Sequence, residues 1–355
     1  MKRPKPRQIA LAAAVLVLAA AAGLYYWFGG PEYEIIDLGS LGGSYGVATA
    51  VNNLGQVVGW SKIDDGNDHA FLWDAKNGIR GLGTLGGANS FAWDINDKGR
   101  VVGTSQTPDG SEHAFVWDPN SGMVDLGTLG GRKSEALAIN NKSQIVGGAE
   151  AAPGETHAFL WDPNAGMIDL GTLYGQRSLA KDINQHGQVV GHVMLPNRKD
   201  HAFYWDKSAG MIDLVGPSGP SSHAASINDA GLVVGYIFRA ANNNYSAFLW
   251  KKDSGITDLN LSKAESYADR VNDSGQVIGH LRTKGFLFFP PKKYFFLRTG
   301  SGRIINLDRL ARSELDRIEA NNINNHDWIV GQLQDTKDNL YRPILLRPAK
   351  KFRTK

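Results

Sequence analysis

Four histidines stand at one interval in this chain. His69, His113, His157 and His201 each open the phrase His-Ala-Phe, 44 residues apart. Imidazole clusters do metal-ligand and proton-transfer chemistry, so a shared metal is one reading. The spacing opposes it if each histidine sits on the third strand of a four-stranded unit around an axis. Strands about 4.8 Å apart then put it roughly 17 Å from the axis and about 15 Å from its equivalent in the next unit. Zinc–nitrogen bonds are about 2.1 Å, so one ion cannot collect them. The expected role is structural, with each ring hydrogen-bonded inside its own unit. Beside it stand the phenylalanine and the tryptophan (Trp73, Trp117, Trp161, Trp205) of the same phrase.

Other chemistry is excluded more directly. The 355 residues contain no cysteine, which removes disulfides, thiolate zinc sites, iron–sulfur clusters and cysteine nucleophiles. The Gly-Thr-Leu-Gly-Gly phrases lack the helix and lysine of a phosphate loop and read as tight crossings between units. The run Asp64, Asp65, Asn67, Asp68 lacks the calcium-loop pattern and its terminal glutamate, so it reads as a solvated loop. Glutamates number nine, too few to supply an obvious off-repeat carboxylate pair for glycoside hydrolysis. No Ser-His-Asp or His-Glu-x-x-His pattern is present. No catalytic residue, metal or cofactor is expected.

The elements that hold these residues are one unit written seven times. Its marker asparagine falls at Asn52, Asn96, Asn140, Asn184, Asn228, Asn272 and Asn324, with five intervals of 44 and a last of 52. Such periods belong to arrays and propellers. Each unit reads as four short strands. The first ends at the asparagine and the second is Gln-Val-Val-Gly, β-branched and buried on both faces. The third is His-Ala-Phe-Leu-Trp, and the fourth is Met-Val-Asp-Leu-Gly after a Pro/Gly turn. Helical periodicity is absent apart from a short turn around Leu310 to Ile318. Ala48, Ala92, Ala136, Ala180, Ala224, Ala268 and Ala320 never vary, as expected where innermost strands crowd an axis.

The last unit lacks a fourth strand, and the chain before the first unit (33–39) is a lone copy of one. The predicted fold is therefore all-β: a seven-bladed β-propeller closed by the N-terminal strand. An open solenoid is the alternative, at the cost of two unprotected edges.

The domain reading is a basic segment and transmembrane signal anchor (1–30), the propeller (31–348) and a basic tail (349–355). Lys2, Arg3, Lys5 and Arg7 precede 20 uncharged residues, Ile9 to Phe28, enough to cross a bilayer as helix. Tyr25, Tyr26 and Trp27 sit where an interfacial aromatic belt belongs, and the basic cluster keeps the N-terminus cytoplasmic. The alternative is a cleaved signal with Ala20-Ala21-Ala22 at the cleavage site. Both place the propeller on the periplasmic or extracellular side. The net charge of +3 comes from the tails: residues 29–346 carry 29 Lys/Arg against 35 Asp/Glu. A body near −6 offers no nucleic-acid footprint.

The cycle HAFLWD…GMxDLGTLGG…AxxINxxGQVVG, over about 33–347, resembles the His-Ala-Phe (HAF) repeat family, described as extracellular repeats. The resemblance implies an exported propeller-like array and no enzymatic activity. The Trp-Asp pairs also resemble those of tryptophan–aspartate propellers, although the Gly-His pair before the first strand is missing.

Local function is expected where the copies diverge. On the first strand, Asp94, Asp182 and Arg270 are candidates to reach the channel and bind a polar ligand or ion, with a structural ion pair as the alternative. The loops between strands four and one share one end of the ring with those between strands two and three, where ligands are expected. The insertion 285–297 reads as an extended hairpin or an exposed contact patch. The function expected is a membrane-anchored, non-enzymatic binding or scaffold module for an unknown protein, peptide or carbohydrate. The alternatives are a propeller hydrolase or carbohydrate-active enzyme at the channel mouth and a structural surface-layer component.

Overall fold

The computed structural model describes residues 33–259, 261, 264–283, 292–310, 316–335 and 340–349. The anchor residues, Tyr25, Tyr26 and Trp27 among them, lie outside the described residues, as do 285–291 of the insertion and the tail from 350. Among the described residues no helix is long and apolar enough to cross a membrane. Contacts divide the chain into two units. One, of which 33–34 and 347–349 are described, holds the ion pair of Arg347 Nη2 with Glu34 Oε2 at 2.8 Å. The other, 35–346, carries the blades.

Seven antiparallel four-stranded sheets follow one another along the chain. Blade 1 is typical: Gly42–Val51, Val57–Ile63, Asp68–Asp74 and Gly78–Gly81, in that order across the sheet. The last sheet is completed out of order, with the strand Tyr33–Asp37 next to Leu340–Pro348. Leu38 N–H donates to the Pro343 carbonyl at 3.0 Å. The N-terminal strand thus fills the vacancy in blade 7, which removes two sheet edges at once.

The core lies between neighbouring blades. Val58 and Leu72 of blade 1 pack with Ala92, Val101 and Phe115 of blade 2, and the second-strand valines are wholly buried throughout. Blades 1 to 5 are each clasped to the next by a serine. The Ala114 N–H donates to Ser134 Oγ of blade 3 at 2.8 Å, and that hydroxyl donates to the Gly127 carbonyl at 2.5 Å. Ser90, Ser178, Ser222 and Ser266 accept the equivalent N–H.

The first strand of every blade carries a β-bulge one residue after the invariant alanine: in blade 2 the register slips between Ala92 and Asp94. The same slip recurs in the other six blades. A bulge re-aims the side chains beyond it. It also explains the glycine that closes Gln-Val-Val-Gly. A Cβ on Gly103 would land on the Phe91 carbonyl and 2.8 Å from Phe115 Cε1.

Two details differ from or complete the sequence reading. The helical turn expected around Leu310 to Ile318 is a 3-10 turn at Leu307–Leu310, and a strand begins at Asp316. Asn306 Oδ1 starts that turn by accepting the Asp308 N–H, and Asp308 in turn accepts from Ile318 N–H at 3.3 Å. In blade 6 the third strand is Lys293–Arg298, the second aromatic run of the insertion.

Candidate functional site

The marker asparagines build one end of the axial channel. Each Oδ1 closes its own turn, as Asn140 Oδ1 does by accepting from the N–H groups of Lys142 and Gln144, both at 3.0 Å. Each Nδ2 donates to the backbone carbonyl of the next blade's asparagine. The chain of bonds runs Asn52 to Asn96 to Asn140 to Asn184 to Asn228 to Asn272 to Asn324 and back to Asn52, at 2.9–3.1 Å. A second closed ring lies beside it. The N–H of Asn53, Asp97, Asn141, Gln185, Asp229, Asp273 and Asn325 each donates to the side chain of the next member. Two girdles of seven hydrogen bonds therefore hold this end shut against blade separation.

Asp94, Asp182 and Arg270 are brought together in the channel these girdles surround, a polar cavity of about 360 Å³ lined from all seven blades. Each carboxylate already bonds the backbone. Asp94 accepts from the N–H groups of Ile95 and, in the next blade, Ile139, both at 2.9 Å. Asp182 accepts from Ile183 N–H at 2.8 Å, Ser226 Oγ at 2.6 Å and Ile227 N–H at 3.0 Å. Arg270 Nη1 donates to the carbonyls of Ala225 and Asp269 at 3.2 Å. Burial pushes Asp94 up to about 7, helped by the Asp182 charge against the N–H bonds and Arg270. Burial also raises Asp182, with Arg270 foremost among the opposing influences.

The repeated histidines do not share a site. His113, His157 and His201 pair through Nδ1 with Asp125, Asp169 and Asp213 at 2.8, 2.7 and 2.9 Å, each within its own blade. The first two pairs are partly exposed, whereas His201 and Asp213 are 0% and 4% exposed. At His69 the matching register position is Gly81. The tryptophans cover the outer strands: Trp117 faces Met123 across the sheet, and Trp73, Trp161 and Trp205 pack on Ile79, Met167 and Met211. Among the described residues no group of three His, Asp or Glu could hold a metal ion.

The opposite end is where the blades differ. One cross-strand pair per blade flanks the invariant Ala–Gly contact: Val47 with Trp60, Phe91 with Thr104, Glu135 with Gly148, and Leu179 with His192. The circuit continues with His223 and Tyr236, Tyr267 and His280, and Glu319 and Gln332. These positions carry rings in contact. Trp60 meets Phe91 edge-on at 5.5 Å, His192 meets His223 at 4.3 Å, and Tyr267 stacks on His280 at 4.6 Å. Burial, with His223 beside it, brings His192 down to about 3. Sequence reasoning passed over these pairs and the serine clasp. Their signal was present: the residues on the far side of a constant Ala and a constant Gly change chemistry in every copy.

The sheets and their closure define a seven-bladed β-propeller, and similarity to known proteins lies at that level. The β-propeller domain of the Trilobed protease from Pyrococcus furiosus, described as an open velcro, matches with a TM-score of 0.55. Identity is 12%, over 85% of this chain and 93% of that one. Puromycin hydrolase matches with a TM-score of 0.55 at 13% identity, over 86% of this chain and 54% of that one. The Pyrococcus horikoshii acylaminoacyl peptidase matches at 0.52 and 11%, over 81% and 51%. This chain thus spans about half the length of those two enzymes, and at such identity the fold alone is shared. A family described as a protein of unknown function (DUF3466) matches residues 173–263, across blades 4 and 5. No curated protein matches. The His-Ala-Phe resemblance has no counterpart in these comparisons and rests on the repeated phrases.

Proposed function

We propose that this chain is an exported, membrane-anchored binding module that recognises its partner at the divergent end of the propeller and performs no catalysis. One observation carries the reading. Seven asparagines at one end are locked into a closed hydrogen-bond girdle, while the cross-strand pairs at the other end differ in every blade. A repeat under structural demand alone has no reason to change the chemistry of these cross-strand pairs in every copy. The channel carboxylates serve as inter-blade clasps, and a polar ligand beside Asp94, Asp182 and Arg270 is a secondary site in this proposal. The anchor of residues 1–30, the propeller of 31–348 and the tail of 349–355 complete it.

The test compares the two ends. The full chain in detergent is screened against immobilised peptides and glycans, and every ligand found is retested with two variants. Trp60→Ser/Tyr267→Ser should abolish binding, and Asp97→Asn/Asp229→Asn at the girdle end should leave it intact. The opposite pattern, or turnover of ester, peptide or glycoside substrates, overturns the reading. Retention of the chain, beginning at Met1, in carbonate-washed membranes tests the anchor, and a soluble form beginning at Gly23 refutes it.

A further inference from the structure

One groove at the divergent end has a more definite chemistry. It crosses blades 1 to 3, has a volume of about 490 Å³, and is lined by the rings of Trp60, Phe91 and Trp93 and by the carboxylates of Glu112 and Glu135. The rings form a series. Phe91 lies edge-on to Trp60 at 5.5 Å and stacks on Trp93 at 6.2 Å. Trp93 is the bulge residue of its strand, and its indole N–H donates to Thr104 Oγ1 at 3.2 Å, which fixes the plane of the ring.

Glu135 is the unusual member. Blade 7 has a glutamate at the same register position, Glu319, and its cross-strand neighbour Gln332 donates Nε2–H to the carboxylate at 2.7 Å. In blade 3 the neighbour is Gly148, which has no side chain to donate. Among the described residues no hydrogen bond or ion pair reaches the Glu135 carboxylate. Burial raises its pKa, against the pull of Lys181 and with the repulsion of Glu112. The other charged groups of the groove are committed. Lys133, the one cation in the lining, pairs with Glu112 at 3.4 Å, and Glu150 accepts from the N–H groups of Arg132 and Gly154.

We infer that the groove between Trp60, Phe91 and Glu135 seats a lysine or arginine side chain of a partner peptide. A ligand here must donate hydrogen bonds and carry positive charge, since the uncommitted group is an acceptor and the lining is net acidic. An ammonium or guanidinium is attracted both to the ring faces and to a part-desolvated carboxylate. A sugar also stacks on aromatic rings, but it brings no positive charge to balance the net acidic lining. The volume exceeds one side chain, so residues flanking the basic one lie along the blade 1–3 surface. This inference rests on the divergent end being the recognition surface.

The test uses the full chain in detergent and fluorescein-labelled pentapeptides with Lys, Arg, norleucine or Nε-acetyl-lysine at the centre of four glycines, read by anisotropy. The Lys and Arg peptides should bind at least about ten-fold more tightly than the norleucine and acetyl-lysine peptides, a difference near 1.4 kcal/mol. Glu135→Gln and Phe91→Ala should each remove about ten-fold. Removing an unpaired, part-buried charge should leave the Glu135→Gln melting temperature unchanged or higher, so loss of binding there is not loss of fold. Equal binding of the norleucine and lysine peptides, or an unaffected Glu135→Gln, overturns the inference. If instead an acidic peptide or an oligosaccharide binds and Trp60→Ser abolishes it, the ligand class falls and the binding-module reading stands. If no ligand responds to substitution at this end, both fall.

Discussion

Replacing Asn140 by Asp tests the girdle with a change of one atom. Asn140 is 1% exposed, and its Nδ2 donates to the Asn184 carbonyl at 3.1 Å and to Gln144 Oε1 at 2.9 Å. In Asn140→Ala the N–H groups of Lys142 and Gln144 lose their acceptor and Gln144 Oε1 loses its donor. The Asn184 carbonyl keeps the Gly187 N–H at 3.0 Å, so the expected cost is about 2–3 kcal/mol. Asn140→Asp keeps the acceptor but sets an anionic oxygen against two oxygens. A flip of the Gln144 amide to relieve this would forfeit its bond to Asp162 at 3.0 Å. At pH 7 the aspartate should therefore cost more than the alanine, about 3–4 kcal/mol. For a domain of this size that is a fall of roughly 5 °C in melting temperature. Acid should reverse it, because a protonated carboxyl again donates. The folded-state pKa of this aspartate is raised above its unfolded value near 3.9. The variant's stability is then fully present below about pH 4 and lost as pH rises through the folded value. Thermal unfolding of wild type and both variants at pH 7 and pH 4, followed by far-UV circular dichroism, reads the difference. An Asn140→Asp protein that melts with wild type at pH 7, or that stays as destabilised at pH 4, would falsify the girdle as a source of stability.

Further outcomes follow from the same geometry. Deleting residues 33–39 opens blade 7 and should lower the melting temperature sharply, and an unchanged melt would mean that the N-terminal strand is dispensable for closure. His201→Ala leaves the 4%-exposed Asp213 carboxylate without its partner and should cost about 3 kcal/mol. The more exposed His113→Ala should cost under about 1 kcal/mol, so equal losses in urea titrations would contradict the burial difference. With its folded pKa raised to about 7, Asp94 binds more protons folded than unfolded between pH 4 and 7. Its contribution should fall across that window, and a carboxyl carbon-13 titration near 4 would refute it. Chelator should leave the wild-type melting temperature unchanged, and a fall that added zinc restores would point to a metal.

Much of the fold was legible because it is written seven times. A period of 44, turn glycines at fixed offsets and short β-branched runs specify blades through local rules, and the orphan fourth strand at residue 33 specified closure by simple vacancy. The in-blade histidine pairs were legible in kind but not in partner: Asp125, Asp169 and Asp213 lie 12 residues downstream and come within reach only once the third and fourth strands pair. What the sequence by itself determined, then, is the blade, its copy number and the position of each variable residue within it. Tertiary structure alone decided which of those residues meet. Asp94, Asp182 and Arg270 are 88 residues apart in steps yet line one cavity, because seven first strands converge on an axis. Trp60, Phe91 and Glu135 form a groove because they stand at one cross-strand level in blades 1, 2 and 3, which pack side by side. A repeat conveys the rules for one blade, but contacts between unlike blades depend on the angle and distance at which the blades close into a ring, and no local pattern encodes those.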